Sequence, residues 1–188
     1  KTDRPINQKW SWDRILRSPY IKQADVLQGF YFFEEDFSLE DLEKHFDFYE
    51  PFTVHESSLS PCVHSIQAAK LGRMEQAYNF YLRTSRLDLD DYNKEVEEGL
   101  HITSMAGTWM SIVEGFGGMR VIDDKLSFKP QIPNQWKAYS FKVNFRNRII
   151  KVNVTKESTT FELSGSKEVS IRVNGKKVEL FPDELVTV

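Results

Sequence analysis

The spacing of apolar residues changes once along the chain, near Met119, and this change constrains the fold more than any other feature. Before it, apolar residues recur three and four positions apart, as they do on one face of an α-helix. After it they alternate with polar residues, as Phe141 and Val143 do, which is typical of half-buried β-strands. We therefore predict an α+β protein, with helices in residues 1–118 and an antiparallel β-sandwich in residues 119–188.

The β-rich part carries one strong turn signal, the dipeptide Asn174-Gly175. It separates two strand-like runs, and both of its residues readily adopt the positive φ of a type I′ turn. A hairpin is therefore predicted at this point. Nothing in the β-rich part suggests a reactive group, so its predicted role is structural.

The helical part contains five periodic segments with recognisable ends. Ser38 and Asp41 form the pattern of a capping box, Ser60 and Pro61 are predicted as N-cap and first helical residue, and Gly72 is predicted to end the same helix. The predicted helices cover residues 21–33, 39–49, 61–71, 74–82 and 100–116, with a polar loop at 86–98. The predicted buried faces hold Leu39, Leu42, Phe46 and Tyr49 in the second helix and Met74, Ala77, Tyr78, Tyr81 and Leu82 in the fourth.

Composition argues against several classes of protein. The net charge of −3, from 25 basic and 28 acidic residues, gives no support to a nucleic-acid-binding surface. A single cysteine, Cys62, excludes an intramolecular disulfide and a cysteine-rich metal site, and four scattered histidines predict no metal or other cofactor. No apolar run approaches the roughly 20 residues of a membrane span, so we expect no membrane partner. The single cysteine fits a reducing compartment, and we expect a cytoplasmic location. The chain begins with Lys1, and we expect it to be a piece of a longer protein.

The residues that lead into the helix at Pro61 suggest an anion site. They are His55, Glu56, Ser57 and Ser58. A helix N-terminus offers free N–H groups and partial positive charge, and two hydroxyls and an imidazole beside it would suit a phosphate or carboxylate. On spacing alone the alternative is favoured, in which the serines only cap a core helix.

Three segments that include these residues resemble glycoside hydrolase family 65. They are KQADV at 22–26, YEPFTVHESSLSP at 49–61, and GLHITSMAGTW at 99–109 running on to GFGGMR at 115–120. They occur in the order found in that family and cover most of residues 20–130. The resemblance implies that the helices are the last part of an (α/α)6 barrel, followed by the family's C-terminal β-sandwich.

The implied activity is that of an inverting disaccharide phosphorylase. Such an enzyme would convert a disaccharide, here expected to be maltose, and inorganic phosphate into β-D-glucose 1-phosphate and D-glucose. Phosphate is the only co-substrate expected, and no cofactor is implied. The expected partners are the N-terminal remainder of the same enzyme and a second copy of it in a homodimer.

The resemblance also implies roles for particular residues. The glucosyl unit would be bound by Lys22 and Gln23, and phosphate by Ser57, Ser58 and His101. Thr103 is expected to orient these residues, and for His55 two alternatives stay open, the same orienting role or a plain structural hydrogen bond. The general-acid glutamate would lie upstream of this chain, so no catalytic residue is assigned within it, and the isolated chain is expected to be inactive.

Three alternatives stay open. The enzyme could be a phosphorylase of trehalose, kojibiose or nigerose from the same family, because loops outside this chain would select the sugar. The chain could instead be a helical and β scaffold without activity of its own. At the level of residues, Lys22 and Gln23 could be an ordinary solvated helix start, and His64 is predicted to be a hydrogen-bonded structural histidine, either buried or at the boundary of the core.

Overall fold

The computed structural model describes residue 6, residues 9–91 and residues 94–188, and the chain divides into two compact units. One unit ends at Ser111 and the other runs from Ile112 to Val188. The first is helical and the second is built mainly from β-strands. This confirms the α+β class predicted from the change in apolar spacing.

The helices of the first unit are short. In the described ranges they are α1 (Trp12–Leu16), α2 (Asp25–Phe32), α3 (Leu39–Tyr49), α4 (Ser60–Lys70), α5 (Met74–Ser85), α6 (Leu87–Asp90) and α7 (Ile102–Met110). Residues Glu50–Phe52 and Val96–Glu98 form 3-10 turns, and a π-helical segment at Ser111–Phe116 follows α7. In the part of the chain that the structure describes, no helix is long and apolar enough to cross a membrane.

Helix α3 begins with the predicted capping box. The backbone N–H of Asp41 donates to the Ser38 hydroxyl, and the Asp41 carboxylate accepts from the Ser38 N–H, so two N–H groups at the helix start are satisfied. Leu42 and Phe46 are buried as predicted. The prediction for Leu39 is wrong, since 53% of its surface is exposed. It is the first residue of the helix, ahead of the buried stripe.

Helix α2 starts four residues later than predicted because Ile21 takes part in a β-bridge instead. Its N–H donates to the carbonyl of Phe52 at 2.9 Å, and its carbonyl accepts from the N–H of Val54 at 2.8 Å. The bridge pairs Ile21 in parallel with Thr53. A pairing between segments some thirty residues apart cannot be read from local periodicity.

Helix α4 has a different start from the predicted one. The helix includes Ser60, the N-cap position is Leu59, and no side chain caps it. The Ser60 hydroxyl instead bonds a histidine ring in the preceding loop. The predicted end is correct. Gly72 has φ of 75° and donates to Ala69, a conformation that suits glycine at a helix end.

The buried face of α5 differs from the predicted stripe. Its buried residues are Ala77, Phe80 and Thr84, of which only Ala77 was predicted. The other predicted residues, Met74, Tyr78, Tyr81 and Leu82, are half-buried. The two stripes are adjacent on the helix, and α5 turns Phe80 inward because that ring packs on two histidines. The polar stretch 86–98, predicted as a loop, contains the short helix α6 and a 3-10 turn.

The second unit contains two four-stranded sheets. The strands are β1 (Arg120–Ile122), β2 (Lys125–Phe128), β3 (Ala138–Phe145), β4 (Arg148–Thr155), β5 (Thr159–Ser164), β6 (Val169–Val173), β7 (Lys176–Leu180) and β8 (Leu185–Thr187). Their orders are β1-β2-β6-β7 and β3-β4-β5-β8. Alternate residues such as Ile150, Val152 and Phe161 are buried in a shared apolar core, as the period of two predicts.

The sheets are not purely antiparallel, which corrects the prediction. Strand β2 pairs with β6 in parallel, through Ser127 opposite Arg172 and Phe128 opposite Val173. Parallel pairing requires a long connection, and the strands β3, β4 and β5 lie between these two in sequence. The predicted hairpin is present, because Asn174 and Gly175 have φ of 50° and 79° between β6 and β7.

Substitution of Gly107 is expected to destabilise the chain. A β-carbon at this position would lie 2.8 Å from Cβ of Cys62, closer than non-bonded carbon atoms normally approach. Gly107→Ala should therefore lower the free energy of unfolding by about 1–3 kcal/mol, measured by urea unfolding. The matched control is Gly29→Ala in α2, where nothing lies within 4 Å; it should raise stability by about 0.4–1 kcal/mol. Equal stabilities for the two variants would contradict the close packing of α7 on α4.

Candidate functional site

The loop between the 3-10 turn at Glu50–Phe52 and α4 is held by bonds on His55. This residue has a backbone φ of 56°, which residues other than glycine rarely adopt, and it is 6% exposed. Its Nδ1 lies 2.9 Å from the Ser60 hydroxyl, and its carbonyl accepts from the Arg83 guanidinium at 3.0 Å. A hydroxyl inside α4 and a cation on α5 thus fix the residue that precedes Glu56.

The two candidate phosphate-binding hydroxyls lie in this loop, directly after Glu56. Ser57 and Ser58 are both half-buried. The Ser57 hydroxyl accepts from the N–H of Leu59 at 3.3 Å, and its carbonyl accepts from the N–H of Ser60. Ser57 therefore stabilises the turn that leads into α4, although it does not occupy the N-cap position. Both hydroxyls lie just ahead of a helix N-terminus that no side chain caps.

Lys22 lies against the same loop. The Ile21–Thr53 bridge places the start of α2 beside it, and Lys22 Nζ lies 3.1 Å from Oε2 of Glu56. The structure thus brings together one candidate sugar-binding residue and the motif that contains both serines. The side chain of Gln23 bonds locally instead, with Nε2 at 2.8 Å from the Asp25 carboxylate. Both residues precede α2, although the helix predicted from periodicity, 21–33, included them.

His101 lies in a cluster of carboxylates. Its Nδ1 is 2.5 Å from Oδ1 of Asp88, and its backbone N–H donates to Oδ2 of the same residue at 3.0 Å. Its Nε2 is 3.6 Å from Oε2 of Glu95. The hydrogen bonds from the His101 side chain and backbone hold the pKa of the Asp88 carboxyl below its usual value.

The predicted phosphate-binding residues are not all in contact with one another. Among the described residues, no hydrogen bond or ion pair joins His101 to Ser57 or Ser58. Thr103, predicted to support the site, is exposed one position into α7. Sequence reasoning missed the partners Asp88 and Glu95, because they lie in the stretch interpreted as a polar loop. In the described ranges, no three His, Cys, Asp or Glu side chains are placed to hold a metal ion.

His55 also belongs to a buried pair of histidines. Its ring centroid lies 4.4 Å from that of His64, and both rings pack on Phe80. His64 is fully buried, and its Nδ1 bonds the carbonyl of Ser60 at 3.0 Å. Nε2 of each ring has no hydrogen-bond partner among the described residues. A buried or boundary position was predicted for His64, and it is buried; its pairing with His55 was not predicted.

Both imidazoles of this pair are held neutral. Burial lowers the pKa of His55 to about 2, and the nearby His64 and Arg83 act in the same direction. Burial likewise lowers the pKa of His64 to about 4, against an opposing hydrogen bond to the Ser60 carbonyl. The loop that carries Glu56 and the serines therefore rests on an uncharged aromatic cluster.

Comparison with known proteins identifies the family. The sequence model of the glycosyl hydrolase family 65 central catalytic domain matches residues 1–110, and that of the family's C-terminal domain matches residues 119–180. The chain belongs to glycosyl hydrolase family 65. The resemblance drawn from the three sequence segments is thus confirmed.

The family 65 relatives include several disaccharide phosphorylases. The maltose phosphorylase of Bacillus subtilis is 53% identical over 95% of this chain and 24% of its own length. The α,α-trehalose phosphorylase of Thermoanaerobacter brockii is 42% identical over 96% of this chain and 23% of its own length. The kojibiose phosphorylase of Halothermothrix orenii is 36% identical over 93% of this chain and 23% of its own length. The chain therefore spans about a quarter of the length of these relatives.

A solved structure supports the fold of this family 65 chain. It is a provisionally assigned kojibiose phosphorylase from the human microbiome, with a TM-score of 0.89 and 43% sequence identity. The match covers 98% of this chain and 27% of that structure's chain.

Proposed function

We propose that this chain is the C-terminal part of an inverting maltose phosphorylase, which converts maltose and phosphate into β-D-glucose 1-phosphate and D-glucose. The proposal is supported by family membership and by the higher identity to a maltose phosphorylase than to the trehalose and kojibiose phosphorylases. The structural observation that carries it is the ion pair between Lys22 and Glu56. It puts a residue proposed to bind sugar against the loop proposed to bind phosphate, as attack on a glycosidic carbon requires.

The proposed reaction needs little from this chain except positioning. Inorganic phosphate is itself an adequate nucleophile, so no carboxylate base is needed; neutral or cationic donors are needed to hold it. The hydroxyls of Ser57 and Ser58 and the imidazole of His101 are proposed to supply them. Lys22 and Gln23 are proposed to orient the glucosyl ring. The general acid is proposed to lie in the part of the parent outside this chain, which is why the isolated chain is proposed to be inactive.

The proposal also covers the fold, the location and the assembly of the full-length enzyme. The helices of the first unit would belong to the last part of an (α/α)6 barrel that the rest of the parent completes. The parent would act in the cytoplasm as a homodimer, with no cofactor. The single, buried cysteine, Cys62, is compatible with a reducing compartment.

The runner-up proposal is a phosphorylase of another disaccharide, because trehalose and kojibiose phosphorylases are also relatives. Release of glucose 1-phosphate by the full-length enzyme, measured with maltose, trehalose, kojibiose and nigerose in turn, separates these substrates. The maltose assignment requires the highest kcat/KM with maltose. A higher value with any other disaccharide would replace it.

Loss of a phosphate-binding group should raise KM for phosphate. A hydrogen bond to a charged partner contributes about 1.5–3 kcal/mol, so Ser58→Ala or His101→Ala in the full-length enzyme should raise this KM about tenfold or more. KM for maltose should change much less. Steady-state kinetics with each substrate varied in turn, together with thermal melts, tests this.

The matched control is Ser140→Ala, which removes an exposed hydroxyl from the sandwich. It should leave both KM values unchanged. If the serines only stabilise the turn before α4, Ser58→Ala will lower the melting temperature and leave both KM values near those of the wild type. That outcome would remove Ser58 from the phosphate site.

A further inference from the structure

The surroundings of His101 suggest how its affinity for an anion is set. Two carboxylates face the two nitrogens of its ring, and they differ in how they contact it. Any effect of these carboxylates on phosphate binding rests on the proposed function, in which His101 binds phosphate. Their different contacts then decide which of them supports phosphate binding and which opposes it.

Asp88 holds His101 by two bonds at once. One carboxylate oxygen accepts from ring Nδ1 and the other accepts from the backbone N–H of the same residue. A carboxylate that contacts both the ring and its backbone fixes the ring orientation and keeps the proton on Nδ1. Nε2 is then the nitrogen left to face a ligand, and it donates to phosphate when the ring carries a proton on both nitrogens. The side chains of Asp88 and His101 are 17% and 18% exposed, so this pair is largely shielded from water.

Glu95 stands on the opposite side of the ring. Its Oε2 is 3.6 Å from Nε2, which is longer than a hydrogen bond but close enough for strong repulsion of a second anion. Its backbone is anchored, since the Asp91 carboxylate accepts from the N–H groups of Glu95 and Val96 at 2.9 and 3.2 Å. The Glu95 carboxylate therefore lies where an anion approaching Nε2 would meet it.

We propose that Asp88 and Glu95 set the affinity of His101 for phosphate in opposite directions. Asp88 is a positioning residue that presents Nε2 to phosphate. Glu95 is a built-in competitor, whose carboxylate faces Nε2 and lowers phosphate affinity. Phosphate must displace this carboxylate from the ring or bind beside it. This competition would keep KM for phosphate higher than it would be if only the hydrogen-bond donors of the site acted on phosphate.

The experiment compares neutral, nearly isosteric variants in the full-length enzyme. Glu95→Gln should lower KM for phosphate about threefold to tenfold, because one negative charge near the anion is removed. Asp88→Asn should raise this KM about tenfold, because an amide can donate to Nδ1 as well as accept from it and so no longer fixes the ring proton and the ring orientation. KM for maltose should not change in either variant. Glu97→Gln, an exposed residue of the adjacent 3-10 turn, is the matched control and should have no effect.

A His101→Ala background separates this inference from the proposed function. The effect of Asp88→Asn should disappear in it, because Asp88 acts through the imidazole, and the effect of Glu95→Gln should become smaller, because only direct repulsion of the anion remains. If His101→Ala raises KM for phosphate but Glu95→Gln does not lower it, the inference is overturned and the proposed function stands. If His101→Ala itself leaves this KM unchanged, His101 does not bind phosphate and the inference falls with that assignment. If Asp88→Asn unfolds below the assay temperature, the result for Glu95→Gln alone decides whether the inference stands.

Discussion

The free energy of unfolding of the helical unit is expected to fall by about 4 kcal/mol when the pH is lowered from 7.5 to 5. The cause is the buried pair His55 and His64, whose pKa values are lowered by burial to about 2 and about 4. In the unfolded chain both imidazoles titrate near pH 6.5. At pH 5 the unfolded state therefore binds two protons that the folded state does not.

The sign of the effect follows from this proton difference. A folded-state pKa below the unfolded value gives stability that is fully present above pH 6.5 and is lost as the pH falls toward the folded pKa. Between pH 6.5 and pH 4 each histidine contributes about 1.4 kcal/mol per pH unit, so about 2 kcal/mol is lost per histidine by pH 5. Below pH 4 only His55 continues to contribute, since its folded pKa is the lower of the two.

Urea unfolding at a series of pH values measures this slope. Trp136 lies in the sandwich, so tryptophan fluorescence in a Trp136→Phe background reports on the helical unit. His64→Asn retains a donor for the Ser60 carbonyl and should remove about half of the pH dependence. His45→Asn, at an exposed position, should leave the slope unchanged. A wild-type stability that is equal at pH 7.5 and pH 5 would show that the pair is not held neutral.

The elements that could be predicted from the sequence are those whose causes are local. Ser38 and Asp41 are three residues apart, and their capping box formed as predicted. Asn174 and Gly175 carry the dihedral preferences of their own turn, and strand β6 before them keeps the predicted period of two. Each of these features depends on neighbouring residues alone.

The features that could not be predicted join distant parts of the chain. The bridge between Ile21 and Thr53 and the parallel pairing of β2 with β6 both depend on tertiary packing. The same holds within the candidate site. The residues of its motifs could be identified from the sequence, but the ion pair of Lys22 with Glu56 spans 34 positions. The contact between Asp88 and His101 spans 13.

Replacement of Lys22 is expected to have the largest effect on catalysis. In the full-length enzyme, Lys22→Ala should lower kcat/KM for maltose by about 10²-fold. A charge-assisted hydrogen bond to the glucosyl ring contributes about 1.5–3 kcal/mol, and at 1.4 kcal/mol per decade its loss alone accounts for a factor of this size. The matched control is Lys44→Ala, because Lys44 forms an exposed ion pair with Glu40 on α3. Such pairs contribute little, so its kinetics should be those of the wild type.

A second consequence of Lys22→Ala follows from the position of Glu56. Lys22 Nζ lies 3.1 Å from this carboxylate, which directly precedes Ser57 in the loop proposed to bind phosphate. Without the ammonium group, the Glu56 carboxylate should repel the incoming phosphate. KM for phosphate should therefore rise in the same variant in which kcat/KM for maltose falls. The double variant Lys22→Ala/Glu56→Gln should restore KM for phosphate while kcat/KM for maltose stays low.

This pattern distinguishes two roles of one lysine, binding of the sugar and neutralisation of Glu56. If Lys22→Ala has the kinetics of Lys44→Ala, the residue is only a solvated group ahead of α2. If the double variant restores neither KM for phosphate nor kcat/KM for maltose, Glu56 does not act on phosphate. The ion pair then serves only to hold the start of α2 against the loop. Recovery of KM for phosphate alone would show that the ion pair between Lys22 and Glu56 couples the sugar and phosphate ends of the site.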